Sequence, residues 1–215
     1  MSHMRELVGE NVDSVRHRLL DAAEKLFCEK GYDNTSVRDL TAAANCNVAA
    51  VNYYFGGKDN LYQEMFKRQV QQIIEAQISK IDEILSRPNP TLEEFVREVI
   101  TPPLRAAHEK QLQGQLMHLM VREVLNKSQH GEKIVEGFHT RMMDYTVDAL
   151  MRLVDGLDKK TAQLIFASLD SLKLHPSLFM DKYMAIIDGL TFDVLIDHIV
   201  RFACAAIRGL AKTKN

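Results

Sequence analysis

The sequence predicts an all-α fold, with an N-terminal three-helix unit followed by a larger C-terminal helical bundle. Three observations carry this. Apolar residues recur at three- and four-residue steps along most of the chain, without strand alternation and without an internal repeat. Turn formers are few, 10 Gly and 5 Pro in 215 residues, which favours long helices over many short strands. The final segment, 190–210, is apolar on more than one face, so it must bury two sides. One side serves its own domain. A second copy of the chain is the simplest cover for the other, and the fold is expected to be homodimeric.

The first helix is read over 12–30, where Val15, Leu19, Ala22, Ala23, Leu26 and Phe27 form one stripe; Gly31 supplies its stop. Met1 to Met4 are expected to be a frayed tail. In "DNTSVRDL", Ser36 is placed to cap a second helix and Asp39 to complete a short capping box. Val37, Leu40 and Ala44 give that helix its buried side. It stops near Asn45, a residue that tolerates the left-handed conformation. Asn47 caps a third, very short helix from Val48 to about Tyr54, and "FGGK" breaks the chain again. Two short helices joined by a tight turn and braced by a longer one make a helix-turn-helix.

A long helix then opens at Lys58, with Leu61, Tyr62, Met65, Phe66, Val70, Ile73 and Ile74 on its apolar side. "SRPNPT" (86–91) is a break, and "TPP" (101–103) should kink or interrupt the next helix. "NKSQHGE" (126–132) and "DGLDKK" (155–160) read as turns, and "LHPSLFMD" (174–181) as a loop or bent connection. The expected division is a DNA-binding-sized unit over 10–57 and a helical unit over 58–215.

Composition narrows the function classes. Hydrophobic residues make up 46 %, enough for a sizeable core. No apolar run reaches the ~20 residues of a membrane span, and "MSHMRELVGE" has no apolar signal region. Cys28, Cys46 and Cys204 are far apart, with no CxxC and no repeated Cys/His spacing; that suits a reducing cytoplasm and gives no reason to expect a metal or cofactor. A redox role for Cys46 is the alternative. No HExxH, Gly-rich phosphate loop, nucleophile elbow or paired-carboxylate motif is visible, so an enzyme is not expected. The net charge of −2 does not advertise a nucleic-acid binder, and such a function must rest on a few well-placed cations.

The run "LLDAAEKLFCEKGYDNTSVRDLTAAANCNVAAVNYYFGGKDNLY" resembles the DNA-binding domain of the TetR/AcrR family of bacterial transcription regulators. The shared elements are a first helix ending in A-x-x-L-F-x-x-x-G-Y, a Thr/Ser pair opening the second helix, and an aromatic-rich third helix followed by a Gly/Lys turn. Two positions depart from the pattern: Asn45 replaces the usual turn glycine, and Gly57 replaces the usual Ser before the lysine. The resemblance implies double-stranded operator DNA and a small lipophilic effector as partners of a cytoplasmic homodimer, with repression relieved by the effector. It covers the N-terminal part only; the remainder matches in length and helical pattern.

The candidate DNA-binding residues are Thr35, Arg38, Asn47, Ala49, Ala50, Asn52, Tyr53, Tyr54 and Lys58. Ala49 and Ala50 are small enough to let the backbone approach thymine methyls. Asn52 is suited to adenine, and the tyrosine hydroxyls to phosphate. Tyr54 could equally cap the core with its ring. Thr35 and Arg38 are phosphate candidates by resemblance, although Arg38 could instead pair with an acidic neighbour. Lys58 lies in the first turn of a helix, against the helix dipole, which suggests an outside anion; a solvated surface lysine is the plainer reading.

Seven of the methionines follow residue 115, as expected of an adaptable apolar pocket, though any one of them could be a core filler. Met117, His118, Met120, Arg122, His139 and Met143 are the candidate effector contacts; Glu123 is a further polar candidate. Leu164, Leu169, Leu172, Leu195, Ile199, Phe202 and Ala206 are the candidate dimer contacts. The rival readings are a helical carrier or enzyme that retains the fold, and an architectural DNA binder without sequence preference.

Overall fold

The computed structural model describes the backbone of residues 2–125 and 132–211, and their side chains except at 2–13, 112 and 132–134. Among the described residues it is all-helical: α1 (Ser2–Lys30), α2 (Val37–Ala43), α3 (Ala49–Phe55), α4 (Lys58–Leu85), α5 (Leu92–His108), α6 (Leu112–Leu125), α7 (Glu132–Leu153), α8 (Lys159–Ile186) and α9 (Phe192–Leu210). Among these residues no helix is long and apolar enough to cross a membrane.

The punctuation read from the sequence recurs with its geometry. Gly31 ends α1 at φ 80°, its N–H bonded to Phe27 O at 2.9 Å. Ser36 and Asp39 close a reciprocal capping box on α2, and Thr91 and Glu94 do the same for α5 after the 86–91 break. Asp158 caps α8 by accepting from Thr161 N–H at 3.0 Å. Each such cap satisfies helix donors that would otherwise lack partners.

Two expectations fail, and of the kink or interruption expected at 101–103 the interruption is absent. Residues 2–4 are not a frayed tail but part of α1. Pro102 and Pro103 lie inside α5 without interrupting it. Two missing N–H donors weaken that helix locally, but Val99, Ile100, Leu104 and Ala106 are all buried on either side of them, so packing sustains it. The expected loop at 174–181 is helical: α8 runs through Pro176 to Ile186. Pro176 and Ser177 are themselves buried, and the Ser177 hydroxyl donates to Leu174 O at 2.7 Å. Of the 126–132 turn, residues 126–131 lie outside the described residues.

The chain packs as two compact units. The first extends to Gln71 and includes Leu119–Val135; the second comprises Gln72–His118 and the chain from Glu136 onward. Packing therefore divides inside α4, later than the 57/58 boundary expected for function.

In the first unit α1, α2 and α3 pack on one another and enclose Leu19, Leu20, Phe27, Leu40 and Val51. The first half of α4 adds Leu61, Tyr62, Met65 and Phe66, none of which has exposed surface. The Phe27 and Tyr62 rings meet edge to face at 4.9 Å. Each such side chain contributes about 1.5–3 kcal/mol by leaving water. At the surface, Arg68 of α4 pairs with Asp21 and Glu24 of α1 at 2.7 and 3.2 Å, and Arg16 pairs with Glu64.

In the second unit α5 is the central helix, packed against α8 and α9. Its core joins Phe95, Val96 and Ile100 to Leu169, Ile199 and Ala203. Leu169 and Ile199 are thus core residues, not free contacts for a second copy. Leu172 and Leu195 are half-buried against the same core. Leu164 and Phe202 are 62 % and 58 % exposed, and Ala206 is exposed with them.

Candidate nucleic-acid interface

Helix α3 has seven residues, and their spacing divides them cleanly. Val51 and Phe55, four apart, are buried. Ala49, Asn52 and Tyr53 follow the i, i+3, i+4 pattern of a single helix face and are exposed, Tyr53 by 78 %. Ala50 and Tyr54 lie between the two faces and are half-buried. The Tyr53 and Tyr54 rings meet edge to face at 4.8 Å, so Tyr54 braces the exposed ring from the side. The aromatic run therefore contains one core residue, one flanking residue and one outward residue.

The helix is fixed at both ends. Asn47 Oδ1 accepts from Ala49 N–H at 2.9 Å, one step short of a regular cap, and Val48 holds the cap position without a side-chain bond. At the other end Gly56 takes φ 75°, and Asn60 of α4 donates from Nδ2 to Phe55 O at 2.8 Å. Arg16 of α1 lies 5.4 Å from the Phe55 ring centroid.

The remaining candidates separate. Arg38 is exposed on α2. Thr35 is not a surface residue: it is fully buried, and its hydroxyl donates to Gly31 O at 2.7 Å and lies 3.2 Å from Leu26 O. Thr35 closes the α1–α2 connection, and its side chain is unavailable to a phosphate. Lys58 is half-buried with its ammonium 4.0 Å from the centroid of the Tyr32 ring. Burial lowers its pKa, with Asp33 opposing. The cation thus has a partner inside the unit, which weakens the inference of an outside anion drawn from its position alone.

The cysteines are not activated. Burial pushes the Cys28 thiol up to about 11 and raises that of Cys46, the reverse of what a redox thiol requires. Among the described residues no cluster of His, Cys, Asp or Glu is arranged to hold a metal ion.

The six effector candidates fall in different units: Met120 and Arg122 in the first, Met117, His118, His139 and Met143 in the second. Arg122 is packed where a Cβ on Gly31 would come within 3.2 Å of its guanidinium. Its neighbour Glu123 is buried, and its carboxylate acts on the buried Tyr62 hydroxyl, whose pKa burial and that carboxylate together raise. His139 is exposed and pairs with Asp170 at 3.2 Å, His118 is exposed, and Met143 packs on the second unit's core.

Residues 19–65, which span this three-helix arrangement, match the tetR family of bacterial regulatory proteins. Over these residues the chain is similar to the DNA-binding domain of that family. The "Probable HTH-type transcriptional regulator YttP" of Bacillus subtilis is 38 % identical over 52 residues, 24 % of this chain and 25 % of that protein. The "Biofilm operon icaADBC HTH-type negative transcriptional regulator IcaR" of Staphylococcus aureus is 34 % identical over 53 residues, 25 % of this chain and 28 % of that one. The match therefore spans about a quarter of the length of these relatives. The fold likeness extends further: the fatty acid degradation regulator FadR from Bacillus halodurans superposes with a TM-score of 0.64 at 16 % identity, over 90 % of this chain and 96 % of that one.

Arg16, Arg18, Tyr32 and Asn60 were not among the sequence candidates, yet they fix α3 and Lys58. Arg16 and Arg18 pair with residues 48 and 26 positions away, and separations of that size leave no periodic trace. Asn60, two residues beyond "GGK", was the one open to local reading as a side chain folding back on a helix end.

Proposed function

We propose that this chain is a ligand-responsive transcription regulator of the tetR family, a repressor that leaves a palindromic operator when a small lipophilic molecule binds. The observation that carries the reading is the division of α3: Val51 and Phe55 anchor it while Ala49, Asn52 and Tyr53 present one outward face. In a major groove, Ala49 and Asn52 meet base edges, and Tyr53, Lys58 and Arg38 meet phosphates. Residues 10–57 are the DNA-binding part and 58–215 the part that dimerises and takes the effector, in the cytoplasm.

The exposed Leu164 of α8 and the exposed Phe202 and Ala206, four apart on α9, support dimerisation, since contiguous exposed apolar surface marks association sites. Two copies then place two α3 helices at half-sites about 34 Å apart, one turn of DNA. The contacts of Arg122 beside Gly31 and Glu123 beside Tyr62 support a route by which α6 acts on the DNA-binding part. An effector that moves α6 changes the half-site distance and weakens binding in proportion to its preference for the displaced state. The words "negative transcriptional regulator" in the name of IcaR favour repression.

Selection of duplexes from a random pool, followed by affinity measurement at two salt concentrations, tests the reading. A regulator enriches a palindrome and prefers it over random sequence at both salts. Equal, strongly salt-dependent binding to every duplex identifies an architectural binder, and binding to none leaves a carrier or enzyme.

A further inference from the structure

The turn between α2 and α3 is held from outside the motif. α2 closes with two paired bonds, Cys46 N–H to Thr41 O at 3.0 Å and Asn45 N–H to Ala42 O at 3.2 Å. Asn45 takes φ 48°, the left-handed residue this closure requires and one usually filled by glycine. Between them the Ala44 carbonyl accepts from Arg18 Nε of α1 at 3.0 Å. The same guanidinium donates from its Nη1 to Ser14 Oγ at 2.9 Å, so it is fastened on its own helix as well.

Arg16 serves the opposite end of α3, lying 5.4 Å from the Phe55 ring centroid. Residues two apart on a helix are separated by roughly 200° around its axis. Arg16 and Arg18 therefore leave α1 on opposite sides and reach the two ends of α3, one through Phe55 and one through the turn. The recognition face has only Val51 and Phe55 in the core beneath it, so the angle of its N-terminal end depends on that turn.

We propose that Arg18 is a positioning residue for DNA recognition. It fixes the direction in which α3 leaves the turn, and hence where Ala49 and Asn52 are presented, without itself contacting DNA. The proposal rests on the DNA-binding reading above and adds a role for a side chain outside the helix-turn-helix. An arginine is needed because Nε and Nη1 donate in different directions from one planar group, which a lysine ammonium on a flexible stem does not reproduce.

The test uses the full chain with Arg18→Lys, which keeps the charge, and Arg18→Met, which keeps an unbranched stem without charge or donors. Amide hydrogen exchange is followed at Asn45 and Cys46, and affinity is measured for the duplex the unaltered chain selects and for random duplex. All binding is measured at a temperature where melting curves show each variant folded. Both variants are expected to exchange faster at the two turn amides and to bind the selected duplex about tenfold more weakly, the discrimination of roughly one base pair. Arg18→Lys should keep its affinity for random duplex and its salt slope. If Arg18→Lys binds like the unaltered chain while Arg18→Met loses affinity for all duplexes and about one unit of salt slope, Arg18 is a phosphate contact and the proposal is overturned. A lower melting temperature with unchanged affinity and discrimination makes the role purely structural and also overturns it. If the unaltered chain selects no duplex, the regulatory reading falls on its own, and unchanged amide exchange in both variants still refutes the hold on the turn.

Discussion

The Lys58 ammonium sits 4.0 Å from the centroid of the Tyr32 ring, so the first turn of α4 is tied to the loop that follows α1. A cation at a helix N-terminus opposes the helix dipole by a few tenths of a kcal/mol. The aromatic face offsets this by about 0.5–1 kcal/mol at a partly exposed site. Because the ring binds through its face, the ammonium's N–H donors need not all be engaged there, and Lys58 remains a candidate phosphate contact held in place by Tyr32.

Lys58→Ala is therefore expected to weaken binding to all duplexes alike and to lower the salt slope by about one. Tyr32→Leu should leave the slope intact, because the charge remains, and weaken affinity less. Salt titrations of both variants decide this. An unchanged slope in Lys58→Ala together with altered sequence preference contradicts the division between phosphate and base contacts.

The exposure of Phe202 and the burial of Leu169 separate two effects that the sequence pattern merges. Phe202→Asp should yield a folded monomer by sedimentation, with the melting transition retained at low concentration. Leu169→Ala should instead destabilise the unit itself by about 2–5 kcal/mol, since it removes a core side chain. A dimer that survives both Phe202→Asp and Leu164→Asp places the contact elsewhere.

Gly31 is constrained twice, by φ 80° and by the Arg122 guanidinium 3.2 Å from where a Cβ would stand. Gly31→Ala is expected to lose about 1–2 kcal/mol from the left-handed conformation alone, and Arg122 must shift as well. Combining it with Arg122→Ala should recover the part due to crowding and none of the backbone part. Denaturant midpoints of the two single variants and the double variant measure the split; strict additivity rules out the contact.

The first 65 residues were largely legible because their signals are local. Ser36–Asp39, Asn45 and Gly31 each act within a few positions, and the Val51–Phe55 spacing sets the outward face of α3. Thr35 was misread because a threonine before a helix is indistinguishable in sequence whether its hydroxyl faces a phosphate or Gly31 O. The interruption allowed at Pro102 and Pro103 and the loop at Pro176 were misread because the prolines' local cost is visible and the burial that offsets it is not. The dimer candidates named on α9 mix its faces: Ile199 and Phe202 are three apart, yet one is core and one is exposed, because the boundary runs between them.

On the proposed reading, Arg122 beside Gly31 and Glu123 beside Tyr62 carry the effector's influence to the DNA-binding part. Thermal-shift screening with lipophilic compounds is expected to yield stabilisers that also weaken operator binding. Glu123→Gln removes the charge beside Tyr62 while keeping the shape. In that variant the same compounds should still raise the melting temperature, but their effect on DNA affinity should shrink. Stabilisers that leave DNA affinity untouched in the unaltered chain refute the coupling.

Asn52 and Tyr53 are adjacent, and both are exposed on α3, but the proposed roles differ in kind. An asparagine amide offers a donor and an acceptor that match adenine's major-groove edge, whereas a tyrosine hydroxyl at the helix margin reaches the backbone. Asn52→Ala should therefore change which base is preferred at one position of each half-site, by about 1–3 kcal/mol. Tyr53→Phe should weaken binding evenly across sequences and leave the selected motif unchanged. Ala49→Ser, on the same face, should shift preference through a changed contact at a thymine methyl. Binding-site selection with the three variants, each compared with the motif enriched by the unaltered chain, reads these outcomes directly. An Asn52→Ala protein that enriches the same motif with the same discrimination places base recognition on other residues.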